Sequence, residues 1–141
     1  MNLYDLTNYL VSVLQQDQRL HSVFQDDVYD TWNKHEVPFM SAVIDMYYTS
    51  FNGDYVDVYY YLYVGDVQNR EKTNTLQIKS LADSVITQFL HKIDVETSTA
   101  EGINLIVPVT CNFFEQAWEN VVAGEYCQFG VRVPIDIICE E

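Results

Sequence analysis

Residues 38–66 read as one long β-hairpin, and neither of its faces has the composition of an ordinary solvated surface. The even positions supply Met40, Ala42, Ile44, Met46 and Tyr48 on one arm, and Val56, Val58, Tyr60, Leu62 and Val64 on the other. Period-two alternation of this kind marks a strand with a buried face. The odd positions then form the wet face, yet they carry Val43, Tyr47, Tyr55, Tyr59, Tyr61 and Tyr63 beside Asp45 and Asp57. Tyrosine has a large apolar body and a polar tip, which suits a surface that is wet at one moment and covered at another. One reading is a sheet packed by its own chain on one side and by a partner on the other. The blander reading is β-propensity on a face that a helix of the same chain covers.

The register of the hairpin tests the face assignment. A two-residue turn at Asn52-Gly53 pairs even positions with odd ones and sends the two apolar rows to opposite faces. Keeping both rows together requires an odd-length loop, Asn52-Gly53-Asp54, or a bulge. The expected pairs are then Tyr48 with Val58, Met46 with Tyr60, Ile44 with Leu62 and Ala42 with Val64.

The chain has 141 residues, enough for a single domain over 1–141 with an adequate core. At 48% hydrophobic and 14% aromatic, with 11 tyrosines, it reads as folded. The net charge of −14 comes from 21 acidic and 7 basic residues. The basic ones are scattered, with only a weak cluster at Arg70 and Lys72, so the phosphate-binding groove of a nucleic-acid reader is not expected. The acidity serves solubility, or makes a surface that repels DNA or takes a basic partner. The amino terminus lacks a basic flank before its amphipathic first stretch, and no apolar run reaches membrane-spanning length. Cys111, Cys127 and Cys139 form no CxxC pair, so neither a disulfide framework nor a zinc site is indicated and synthesis in a reducing compartment is expected. On apolar strand positions, Cys111 and Cys127 read as small buried hydrophobes.

Residues 2–16 read as a helix with Leu3, Leu6, Leu10, Val13 and Leu14 on one face, and Asn2 with Asp5 has the spacing of a capping arrangement. A short strand is expected near 22–24, and 30–37 reads as a polar loop with Trp32 stranded in it. After the hairpin, 75–93 reads as a second helix through Ile78, Leu81, Ala82, Val85, Phe89 and Ile93, with a possible capping box from Asn74 and Gln77. Alternation then predicts a fourth strand through Ile103, Leu105, Val107, Val109, Cys111 and Phe113. A fifth runs through Cys127, Phe129, Val131, Val133 and Ile135. Pro108 and Pro134 imply an exposed or irregular edge in both. Between them, 114–124 is an extended hairpin tip or a short helical turn. The expected architecture is α+β, in α-β-β-β-α-β-β order, with two helices on one face of a mostly antiparallel sheet.

No catalytic constellation stands out, and an enzyme is not expected. His21, His35 and His91 lack metal-helix spacing, the five glycines are isolated, and no serine sits in a nucleophile elbow. The acidic run at 26–30 lacks the glycine and the distal glutamate of an EF-hand loop. Catalytic, cofactor and metal sites are therefore all expected to be absent. The candidate functional residues are Tyr55, Tyr59, Tyr61 and Tyr63 on the odd face, with Trp118 and Val121-Val122 in the projecting tip of the last hairpin.

This element order resembles the tail-terminator and head-to-tail joining proteins of tailed bacteriophages. It comprises an amphipathic helix (2–16), a meander ending in a long hairpin (39–64), a helix (75–93) and a terminal hairpin (103–135). The resemblance spans nearly the whole chain and rests on topology, so it transfers no functional residue. It implies a virion protein, made in the host cytoplasm, that forms a hexameric or dodecameric ring around the DNA channel at the neck or tail. Portal, connector or tail proteins would adjoin it. It implies no sequence-specific nucleic-acid binding, no membrane and no cofactor. An acidic lumen would let DNA slide. Two alternatives remain: an acidic phage-encoded inhibitor or DNA mimic that binds a basic partner, and a small-ligand module lined by tyrosines.

Overall fold

The computed structural model describes residues 1–33, 37–97, 102–117 and 121–139. Helix α1 (Leu3–Gln15) leads to strand β1 (Ser22–Gln25), the short helix α2 (Val28–Trp32), and the hairpin β2 (Ser41–Phe51) and β3 (Tyr55–Val67). Helix α3 (Thr75–Lys92) follows and ends in a π-helical turn, Ile93–Thr97. Strands β4 (Asn104–Ile106), β5 (Cys111–Ala117) and β6 (Val121–Pro134) and a last turn of helix, α4 (Ile135–Ile138), complete the chain. The fold is α+β. One six-stranded mixed sheet runs β1-β2-β3-β6-β4, with β5 also paired to β6, and among the described residues only the β1–β2 pair is parallel.

Both long helices pack on one face of this sheet. Leu6, Leu10, Val13 and Leu14 of α1 and Ile78, Ala82, Val85, Ile86 and Phe89 of α3 bury against Ala42, Ile44, Val58, Tyr60, Leu62, Val64, Phe129, Val131 and Val133. The α1 capping box forms as the sequence suggests: Asp5 N donates to Asn2 Oδ1 at 2.8 Å and Asn2 N to Asp5 Oδ2 at 3.2 Å. The α3 box does not form. Asn74 Oδ1 instead accepts from Asn69 N at 2.9 Å, so its side chain closes the 68–74 connection and leaves the helix end uncapped. Leu81 is exposed, because the buried stripe of α3 turns through Ile86.

Three further expectations are corrected. Ala42, Ile44 and Met46 pair with Val64, Leu62 and Tyr60 as read, but Tyr48 pairs with Tyr59 and not Val58. The register shifts between Met46 and Tyr48, a bulge in mid-strand and not at the turn. Tyr48 thereby joins the tyrosine face, and Met46 beside the bulge is 39% exposed. The fourth strand is two strands. Residues 107–110, with Pro108, face only Gln128 and Phe129 of β6, an excess of two residues. An even excess conserves parity, which is why Leu105 and Cys111 still share a face. Finally, β6 begins at Val121, so this hairpin is extended with no helical turn in its described part, and Ile135 starts a helix instead of ending a strand.

Candidate functional site

The face opposite the long helices carries a continuous tape of aromatic rings. Tyr59, Tyr61 and Tyr63 share this face of β3 because odd positions project together. The bulge adds Tyr47 and Tyr48 from β2: Tyr47 stacks on Tyr61 at 4.2 Å between centroids and Tyr48 on Tyr59 at 4.5 Å. Tyr63 continues the tape to its register partner Tyr126, stacked at 5.2 Å, and meets Phe114 edge-on at 5.8 Å. Offset and edge-to-face contacts at these separations hold the rings in place, each worth about 0.5–1.5 kcal/mol beyond burial. Tyr59 also lies across Gly130, where an added Cβ would sit 2.6 Å from its ring. The bare backbone of β6 is therefore what lets the tape lie flat.

One end of the tape is closed by the chain itself. The sequence suggests a loop around Trp32, but α2 places it fully buried on this face, packed with Val28, Val43 and Val122. Its Nε1 donates to Ser41 Oγ at 3.0 Å and its ring lies 6.0 Å from Phe114 and 6.2 Å from Tyr63. The acidic run supplies the helix start: Asp27 Oδ1 accepts from Tyr29 N at 2.8 Å and Asp30 N at 3.2 Å. Burial is what pushes the Tyr63 hydroxyl up to about 12, with the nearby Tyr29, Tyr126, Tyr61 and Asp27 adding to it.

The other end is open. Tyr48 is 48% exposed and Tyr55 38%, at the tip of a hairpin that extends past the last residue paired to β1, while Phe51, 71% exposed, pairs with Val56 and so projects from the helix-side face of the same tip. Arg132 fixes this end, donating to both Asp57 oxygens at 2.8 and 2.9 Å while its guanidinium lies 5.3 Å from the Tyr55 ring centroid.

Between the two ends lies a cleft of about 420 Å³ lined by Asp27, Val28, Tyr29, Asp45, Tyr61, Tyr63, Tyr126 and Gln128. Partial burial, and then the charges of Asp27 and Asp26, hold the Asp45 carboxyl above its usual range. This is an aromatic, negatively charged recess, complementary to a cationic group.

Of the candidate residues, Tyr55 is exposed and Tyr59, Tyr61 and Tyr63 are half-buried on one continuous face. Trp118 lies outside the described residues. Val121 is exposed at the start of β6, and Val122 is buried with Trp32. Sequence reasoning missed Tyr126 and Phe114, although parity carried the signal: Tyr126 precedes the core residue Cys127, so it projects to the opposite face. Among the described residues, no group of three or more His, Cys, Asp or Glu side chains is placed to hold a metal ion. No helix among them is long and apolar enough to cross a membrane. The sequence matches no protein-family model and no curated protein.

Proposed function

We propose that this chain is a structural subunit that assembles into a closed homo-oligomeric ring, of the kind built at the neck or tail of tailed bacteriophages. The observation that carries this reading is the open end of the aromatic tape. Tyr48, stacked on Tyr59, and Tyr55, beside the Arg132 guanidinium, are exposed yet already ordered, and Phe51 bares the other face of the same hairpin tip; ordered aromatic side chains lose little entropy when a partner covers them. Ring closure needs two unlike complementary patches, whereas a self-matching patch closes a dimer.

The sheet offers two such patches at opposite margins. One is the outer edge of β2 beyond Ile44, where β1 ends and no other described strand pairs. The other is the outer edge of β5, with Phe113 and Val121 exposed beside it. Open edges of this kind invite pairing with another chain. The net charge of −14 suits a ring whose lumen lets DNA pass without sticking.

Native mass spectrometry and mass photometry of the purified protein, alone and with portal or connector proteins, test the proposal. A six- or twelve-fold species, alone or on a connector, is the expected result. A chain that stays monomeric with connectors but binds a basic enzyme one to one would replace this reading with the acidic-inhibitor alternative.

A further inference from the structure

Glu125 is the least expected side chain in the core. It is 1% exposed, and neither carboxyl oxygen has a hydrogen-bond partner within ordinary geometry. Buried polar groups are almost always satisfied, so an orphan carboxyl calls for a chemical reason. Its titratable neighbours are Asp83 of α3 and Cys111 of β5. Cys111 stands directly opposite Cys127 in the β5–β6 register, on the helix-side face. Residues directly opposed on antiparallel strands have Cα atoms about 4.5–5.5 Å apart, within the range a disulfide spans. The two thiols differ in access: Cys127 is fully buried, whereas Cys111 is half-buried and lines a groove of about 460 Å³ between α3 and the β4–β5 segment. Leu90, Leu105, Val107 and Val109 wall that groove, and Asp83 and His91 also line it.

We propose that Cys111 is a thiol-modification site for low-molecular-weight disulfides entering this groove, and that Cys127 is its resolving partner. The surroundings suit the roles. The neighbouring Cys127 thiol, and then the nearby Glu125 carboxyl, hold the Cys111 thiol down to about 7, which favours the thiolate nucleophile. Burial, together with Asp83 and Cys111, pushes the Glu125 carboxyl up to about 8, so at neutral pH it is mostly protonated and puts little negative charge beside the sulfur. Hydrogen bonding to Cys111 and burial push the Cys127 thiol up, so it stays protonated until Cys111 has reacted.

The Cys111 thiolate attacks one sulfur of a small disulfide such as oxidised glutathione. That S–S bond breaks, a mixed disulfide forms on Cys111, and one thiolate leaves. Cys127 then gives its proton to the ionised fraction of Glu125, attacks Cys111 Sγ and expels the second thiolate. Two protein thiols are oxidised and one small disulfide is reduced to two thiols. This inference does not depend on ring assembly.

Oxidised glutathione added to the folded full-length chain, followed by peptide mass mapping, tests it. The expected products are a Cys111–Cys127 disulfide and, at most, a simple mixed disulfide on the exposed Cys139. In Cys127→Ser the reaction should stop at the Cys111 mixed disulfide, and in Cys111→Ser residue Cys127 should stay unmodified. Circular dichroism establishes that both variants are folded. Modification confined to Cys139, or Cys127 reacting in the Cys111→Ser protein as fast as Cys111 does in the native one, overturns the proposal.

Discussion

The two faces of the sheet are built from different side chains, and the difference separates folding from association. The helix-side face is mainly aliphatic and covered along its centre by α1 and α3, with Ala42, Ile44, Val58, Leu62, Val64 and Val131 fully buried. The opposite face is aromatic and covered only at one end, where α2 lays Trp32 over Val43 and Val122. Its tyrosines grade from half-buried at Tyr63 to open at Tyr48 and Tyr55. An aliphatic residue left in water loses its whole contribution, whereas tyrosine keeps its hydroxyl hydrated while its ring stacks on a neighbour. The first face therefore decides whether the chain folds, and the second decides what covers it.

The sharpest way to break this division is to place charge on each face in turn. Leu62→Asp puts an unpaired carboxylate in the fully buried row and should abolish cooperative folding, a loss of several kcal/mol. A soluble variant with a normal thermal transition would show that the helix-side face is not the core. Trp32→Ala addresses the closed end of the aromatic face. It removes the largest fully buried side chain and orphans the Ser41 contact, and should cost about 3–5 kcal/mol in urea melts. A loss below about 1 kcal/mol would mean that α2 only rests on the sheet.

Much of the helix-side face was legible because aliphatic alternation has a single physical reading. A strand with Ile44 and Leu62 on one side must bury that side, and period-two spacing survived even the break at Pro108, where the excess of two residues left Leu105 and Cys111 in phase. The aromatic face was harder to read, since tyrosine is at home on either side. Nothing in the sequence marks Tyr47 as the bulge that carries Tyr48 over to the tape. The five residues of α2 are too few to show helical periodicity, which is why the burial of Trp32 leaves no trace in the sequence. The opposition of Cys111 and Cys127 depends on where the β5–β6 hairpin turns, which alternation alone leaves open.

Glu125 sharpens the comparison from inside the helix-side face. Its folded-state carboxyl titrates at about 8 against a usual 4.5, so the native state holds the extra proton. The stability this represents is fully present below about 4.5 and is lost as pH rises through about 8. Cys111, held down to about 7 from 9, acts in the opposite sense: its contribution is present above about 9 and is lost as pH falls through about 7. Chemical melts between pH 5 and 7 cover the rising side of the glutamate's titration and lie below that of Cys111. They should show stability declining with pH, by an amount on the order of the 1–3 kcal/mol cost of an unpaired buried polar group. Glu125→Gln should flatten that slope, and an unchanged slope would assign it to another group.

The smallest effect on folding is expected where the effect on association is largest. Tyr48→Ser and Phe51→Ser alter exposed side chains on the two faces of the hairpin tip, and Phe51→Ser should shift the unfolding free energy by about 0.5 kcal/mol or less. Tyr48 loses two ring contacts, stacked on Tyr59 and edge-on to Tyr47, so Tyr48→Ser should cost about 1 kcal/mol and Phe51→Ser should be the milder of the two. Aromatic anchors at interface centres cost roughly 2 kcal/mol or more on truncation, so both variants should weaken subunit association by at least about tenfold. Side-by-side thermal melts and concentration-dependent mass photometry separate the two quantities. Variants that assemble as well as the native chain would leave the hairpin tip without a role in association, and would move the contact to the β5 margin around Phe113.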